Sequence, residues 1–307
     1  MTLAPAISQR LRAFRRTSEF VAHGGVVTDL DGTALHEREG RVSVAEPVAE
    51  GLKALAELGR PVVLNTLRFP LNVVRTFGRE WGAITDQPVP LVSLNGAVLG
   101  LLTPIGDAET TFEEMAAFPL AKAEISEALG RLQELLDQGL TQVVLFIYPR
   151  DWRRGEIVWC MQPSQVDMLR SKYVSASEVL CGPLSALHDM LLSNEVCMLA
   201  VQVEIPEDRR MAYQHTRPSR FVTAAGIDKL SGAREAAARL GFDLDQSIGA
   251  GDTPMDSFLA GVGLAVHVGP LPLAFEGRQD TLKLKDPSEL GAALFELAQA
   301  DAQASAA

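Results

Sequence analysis

VVTDLDGTAL, residues 26–35, sets a short apolar run against two acidic residues, Asp29 and Asp31, followed at once by the turn-prone pair Asp31-Gly32. The run from Gly25 to Leu30 predicts a buried strand that the turn terminates. Beyond the turn, Val48, Leu52, Leu55 and Leu58 recur at helical spacing within Glu46 to Leu58. The unit is therefore strand, loop, helix. Open α/β sheets gather their pockets just past the carboxyl ends of the strands, so both carboxylates can reach one small ligand. Taken alone, an acidic turn with no chemical duty would look the same. The rest of the chain decides between them.

Further units follow. Pro61 to Asn65 (PVVLN) reads as a second buried strand, Leu71 to Arg79 as a helix, and Pro90 to Leu94 as a third strand ending at Asn95-Gly96. Much later, Asp228 to Leu240 reads as a helix, Ser247 to Ala250 as a strand, Pro254 to Leu259 as a helix and Gly263 to Val268 as a strand. Strands alternating with helices predict an α/β fold, a doubly wound parallel sheet built from both ends of the chain. From about Gly100 to Arg217 the texture changes. Phe112 to Gln138 reads as mostly helical, Thr141 to Tyr148 and Gly155 to Met161 as paired strands, and Glu195 to Val203 as another strand. This predicts a discontinuous core, residues 1–97 and 218–307, around an inserted α+β domain, residues 98–217.

The bulk properties exclude some function classes. With 307 residues, 47% of them hydrophobic, the chain can fill one large core or two smaller ones. Its net charge is −11 with scattered basic residues, which argues against a nucleic-acid partner, so a small anionic ligand needs a local positive site. The apolar stretch Val89 to Leu102 is interrupted by Pro90, Ser93, Asn95 and glycines, short of the ~20 unbroken apolar residues of a membrane span. Arg10, Arg12, Arg15 and Arg16 lie near the start with no secretory apolar region after them, so a short amphipathic helix is expected there, with an organelle transit peptide as the alternative. Cys160, Cys181 and Cys197 are odd in number and widely spaced. That predicts neither a metal pair nor a disulfide framework, but small buried residues in a reducing, cytoplasmic compartment.

Three further pieces suit phosphoryl transfer. Thr66 offers a hydroxyl after the second strand, with Arg68 behind it; Lys229 opens a helix, where its ammonium and the local N–H groups can hold a phosphate; IGAGDTPMD ends the fourth strand with Asp252 and Asp256. Carboxylates for a cation thus accompany a hydroxyl and an ammonium for an anion.

In this order the motifs resemble those of the haloacid dehalogenase superfamily: Asp29-Leu30-Asp31-Gly32-Thr33, Thr66, Lys229 and Gly251-Asp252 through Asp256, spanning nearly the whole chain. The short gap before Thr66 and the long one before Lys229 resemble the branch of Cof-type and sucrose-phosphatase-like enzymes with a C2-type α+β cap, and SLNGA (Ser93 to Ala97) is similar to that branch's exit into the cap. The resemblance implies Asp29 as nucleophile and Asp31 as general acid and base. It implies Thr66, Lys229 and Arg68 at the substrate phosphate, and Mg²⁺ held by Asp29, the backbone carbonyl of Asp31 and Asp252, with Asp256 behind them or binding through water. Asn95 and His215 are candidate substrate contacts, His215 because it accompanies Arg217 and Arg220 where the chain returns from the insert. The implied enzyme is a phosphatase acting on a small phosphorylated metabolite, a sugar phosphate or sugar derivative, with the cap closing over the site and reading the leaving group. A phosphosugar mutase and a non-catalytic regulatory module on the same fold are the alternatives. Two departures stand out: Leu67 where the branch has Gly, and Met255 where it has Asn. Asp228 is expected as a helix N-cap, Thr253-Pro254 as the start of the helix carrying Asp256, and His188, His267 and Trp152 to Arg154 as residues without catalytic duty.

Overall fold

In a computed structural model the structure describes residues 3–38, 41–85, 87–105, 109–140, 143–203, 219–270 and 281–305. The chain divides into two compact units, Met1–Ala116 with Ile227–Ala307, and Ala117–Gly226. The first begins with α1 (Pro5–Thr17), α2 (Phe20–His23), β1 (Val26–Thr28) and the hairpin β2 (Leu35–Arg38) and β3 (Arg41–Val44). It continues through α3 (Glu46–Glu57), β4 (Val62–Asn65), α4 (Pro70–Ile84), β5 (Val89–Ser93), β6 (Val98–Ile105) and β7 (Glu109–Ala117). The second unit holds α5 (Lys122–Asp137), β8 (Val143–Pro149), β9 (Glu156–Cys160), α6 (Val166–Lys172), β10 (Ala176–Cys181), α7 (Leu184–Leu192), β11 (Val196–Val203) and β12 (Ser219–Val222). The chain then returns through α8 (Lys229–Leu240), β13 (Ile248–Gly251), β14 (Leu264–Val268), β15 (Thr281–Leu284) and α9 (Pro287–Ser305).

Among the described residues, the first unit's large sheet runs β15-β14-β13-β1-β4-β5-β6-β7. From β15 to β5 every pairing is parallel, and β6 turns back antiparallel on β5. The chain moves from β1 to β4 and β5 on one side and reaches β13 and β14 on the other only later, which makes β1 the switch point where such sheets open a crevice. Both faces are covered, so the strands read as near-continuous apolar runs. On one face, Ala233, Ala236 and Ala237 of α8 pack on Val27, Val63, Val92 and Leu99. The small alanines let the helix backbone come close, and each buried valine contributes ~1.5–3 kcal/mol relative to exposure. The alternate residues Val26, Leu64 and Leu91 point to the opposite face and are buried too. The N-terminal helix packs on this unit: Leu11 is buried and Ser8 Oγ donates to Glu296 of α9 at 2.5 Å.

The second unit is an antiparallel-rich sheet, β10-β9-β8-β11-β12. Leu129 and Leu132 of α5 and Leu187 and Leu191 of α7 cover one face over Leu145, Trp159 and Leu199, while Leu169 of α6 packs with Val144, Phe146 and Val158 on the other.

Three expectations need correction. Residues 98–116, expected within the insert, form β6 and most of β7 at the edge of the core sheet. The stretch from Phe112, expected as helix, is strand until Ala117, because pairing along the sheet edge overrides the helix preference of Glu113, Glu114, Met115 and Ala116. Ser219–Val222, expected in the core, pairs with β11 of the second unit.

Candidate active site

Each candidate side chain of the first unit leaves the sheet at a carboxyl edge near the switch point. Asp29 follows β1, Thr66 follows β4, Asn95 follows β5 and Asp252 follows β13, while Lys229 is the first residue of α8. Gly32, with φ of 77°, turns the chain back after Asp31, and a Cβ on it would run into the Asp252 carboxylate. Only glycine supplies both the left-handed backbone and the room. Gly32→Ala is therefore expected to lower unfolding stability by on the order of 2 kcal/mol, because the added methyl must displace the Asp252 carboxylate; urea unfolding measures it.

Lys229 organises the interior. It is 3% exposed, and its Nζ lies 2.6 Å from Asp29 Oδ1 and 2.6 Å from Asp256 Oδ1. Its backbone carbonyl accepts from Asn65 Nδ2 at 2.8 Å, so the polar residue that ends β4 fixes where α8 begins. Asp228 caps that helix, accepting from Ser231 N at 2.8 Å and from Ser257 Oγ at 2.9 Å, as its position predicts. Leu94 and Asn95 both take left-handed backbone, with φ of 51° and 58°, and Gly96 behind them packs against the Asp228 carbonyl. This strained turn seats the amino end of α8 directly.

Asp256 divides its carboxylate between two tasks. One oxygen holds Lys229; the other accepts from the backbone N–H of Asp252 at 2.9 Å and of Thr253 at 3.0 Å. The expected helix from Pro254 is absent: a turn carries Asp256 and a short 3₁₀ segment, Ser257–Ala260, follows, so the carboxylate, not Thr253, satisfies the loop amides. Met255 is exposed, and Leu67 is not among the residues with left-handed backbone, so the loop after β4 needs no glycine there.

Carboxylate oxygens of Asp29, Asp252 and Asp256 all lie within 4.8 Å of one another. Among the described residues, three carboxylates against one ammonium leave two negative charges uncompensated if all are ionised, in a region that is mostly buried. Burial, offset in part by Lys229 and reinforced by Asp256, raises the Asp29 pKa from 3.8 to about 7. Burial, with Asp256 next, raises Asp252 to about 6. Burial would lower Lys229, but the charges of Asp29 and Asp256 outweigh it and hold the lysine above its ordinary value. The donor set is hard oxygen with surplus negative charge, which fits a small divalent cation such as Mg²⁺.

A carboxylate whose folded pKa is raised contributes most below its unfolded value, and that contribution is lost as pH climbs through the folded value. Metal-free protein should therefore become less stable between about pH 4 and pH 7, and Asp29→Asn should flatten part of that decline. Urea midpoints at several pH values measure it; identical slopes in the two proteins would refute the buried-acid reading.

Asp31 and Arg68 form a second assembly. Arg68 Nε and Nη2 donate to Asp31 Oδ2 and Oδ1 at 2.8 and 2.6 Å, and the guanidinium sits 4.8 Å from the centre of the Phe77 ring. Arg68, expected at the phosphate, is here committed to the carboxylate of Asp31. Its backbone is fixed as well, the N–H donating to Thr66 Oγ1 at 3.1 Å and the carbonyl accepting from the Ser93 hydroxyl. Thr66 is 1% exposed and its carbonyl accepts from Asn95 N, so the exits of β4 and β5 are laced together. His215 lies outside the described residues. The parts played by Asn65 and Phe77 escaped the reading of the sequence; for Asn65 the signal was a polar residue closing an otherwise apolar strand.

No family model matches the chain, and no curated protein matches it in sequence. Solved structures do. A HAD superfamily phosphatase from Bacteroides thetaiotaomicron superposes with a TM-score of 0.62 at 18% identity, covering 91% of this chain and 96% of its own. The fold is that of the haloacid dehalogenase superfamily. A HAD subclass IIB sugar phosphatase gives 0.59 at 15% identity over 88% and 96% of the two chains, and a HAD/Cof-like hydrolase from Plasmodium vivax gives 0.63 at 16% over 95% and 99%. These likenesses cover 88 to 95% of this chain.

Proposed function

We propose that this chain is a Mg²⁺-dependent phosphomonoesterase that works through an aspartyl-phosphate on Asp29 and acts on a small phosphorylated metabolite, a sugar phosphate or sugar derivative. The observation that carries the reading is the convergence of buried Asp29 and Asp256, both bonded to Lys229, with half-buried Asp252 at the switch point of the sheet. The sugar class is supported by the likeness to a structure described as a sugar phosphatase.

Asp29 attacks phosphorus in line, forming the acyl phosphate as the ester oxygen departs. Asp31 gives that oxygen a proton and then takes one from the water that hydrolyses the acyl phosphate. Arg68 holds both oxygens of Asp31, so one must be released to face the leaving group. Lys229 and Thr66 bind the phosphoryl oxygens, and Lys229 keeps Asp29 aligned throughout. Asp29, Asp252 and the carbonyl of Asp31 would hold Mg²⁺, whose charge neutralises phosphate and carboxylates that would otherwise repel. Asp256 keeps the Asp252 loop in place.

Phosphate release from a panel of sugar phosphates, nucleotides and phosphoglycerate derivatives, with and without Mg²⁺, tests the reading. Metal-dependent release from monophosphates is expected; interconversion of sugar phosphates that requires a bisphosphate, without release, would make the chain a mutase. Independently of turnover, Mg²⁺ at about a hundred times its Kd should add ~2.7 kcal/mol to stability and raise Tm by on the order of 5 °C, and Asp252→Asn should abolish that rise.

A further inference from the structure

The second unit places two cysteines side by side that lie far apart in the sequence. Cys160 ends β9 and Cys181 ends β10, and the parallel register of these strands makes them direct partners. Neighbouring strands stand about 4.8 Å apart, inside the ~4.4–6.8 Å between Cα atoms that a disulfide spans. Directly opposed residues on parallel strands project their side chains to the same face of the sheet, which puts both thiols on one side of it. Their backbone contacts cross as well: Cys160 Sγ donates to the Leu180 carbonyl and Cys181 Sγ to the Met161 carbonyl. Cys160 is fully buried, Cys181 is exposed, and both are free thiols. The expectation of three small buried cysteines therefore holds for Cys160 and Cys197 but not for Cys181.

We propose that Cys160 and Cys181 are an oxidisable pair, a modification site at which small-molecule disulfides install a reversible intramolecular disulfide between β9 and the edge strand β10. The exposed Cys181 loses its proton and attacks one sulfur of the incoming disulfide, expelling the other half as a thiolate. Cys160 then loses its proton and displaces the remaining half from Cys181. One small-molecule disulfide is reduced to two thiols, and two protein thiols become one disulfide. The order follows from access, and burial, which pushes the Cys160 thiol up to about 11, makes it the slower, resolving partner. Adjacency on paired strands offsets that disadvantage by making the second step intramolecular. The bridge closes the segment that carries α6 and pins β10, whose one strand partner among the described residues is β9. A bridge with one exposed sulfur is open to reduction, so the modification is reversible.

Oxidised glutathione is added to the folded 307-residue chain, and intact mass and peptide maps are followed. The expected product has lost two hydrogens, joins the peptides containing residues 160 and 181, leaves Cys197 as a thiol, melts several degrees higher and reverts with dithiothreitol. Cys160→Ser should instead trap glutathione on Cys181, and Cys181→Ser should take up none while folded. The proposal is overturned if the folded wild-type protein accumulates a stable glutathione adduct with no internal bridge, if the bridge forms only in urea, or if it includes Cys197. The wild-type peptide map decides the matter even where a serine variant fails to fold.

Discussion

Asp29→Asn is expected to yield a folded protein whose phosphate release falls by on the order of 10⁴-fold or more, the scale seen when a covalent nucleophile is removed. Asparagine keeps the shape of the side chain but cannot form the acyl phosphate. Its effect on stability should go the other way. The metal-free protein ionises Asp29 against burial and against Asp256, with Lys229 the compensating charge. The amide relieves that cost while Asp256 still holds the lysine at 2.6 Å. At neutral pH without metal the variant should be as stable as the parent or more so. The pair of measurements is the steady-state rate on the best substrate of the panel and the urea midpoint without divalent ions. Hydrolysis at parental rates would remove Asp29 from the reaction; a stability loss of several kcal/mol would show that the buried charge is better compensated than the geometry implies.

Lys229→Met should damage stability and activity together. Methionine fills much of the same space but removes the one ammonium between Asp29 and Asp256. Deleting one member of a buried ionic cluster leaves the others uncompensated, a loss of about 3–5 kcal/mol. The carboxylates then resist ionisation more strongly, so the loss should be smaller near pH 5 than near pH 8. Excess Mg²⁺ should recover part of the stability but not the rate, because the phosphoryl group has lost a charged ligand that in such sites is worth ~10²–10³-fold. Urea unfolding at the two pH values, with and without Mg²⁺, is the check. A deficit that ignored pH would mean the lysine supports the fold by packing alone.

Much of this was legible in the chain. The buried strands before Asp29, Thr66 and Asp252 announced themselves as apolar runs, and acidic or hydroxylic residues just past them could meet only if the strands were parallel neighbours. What escaped is what register and loop geometry decide. β7 was lost because an edge strand, wetted along one side, carries residues such as Glu113 and Glu114 that equally suit a helix. The turn that holds Asp256 could not be told from a helix start, since Thr253-Pro254 serves either. The commitment of Arg68 to Asp31 needs two loops in three dimensions. The meeting of Cys160 with Cys181 depends on strand register, which a shift of one residue would destroy.

The ion pair between Asp29 and Lys229 joins residues 200 positions apart, and β1 lies between β4 and a strand that begins only at Ile248. During synthesis on the ribosome, the strand that leads into Asp29 therefore waits with one bare flank until most of the chain has emerged. Nascent chains shorter than that present an unpaired apolar edge, the kind of surface that chaperones retain and that aggregates seed upon. The acidic cluster, on this topology, is assembled late and all at once.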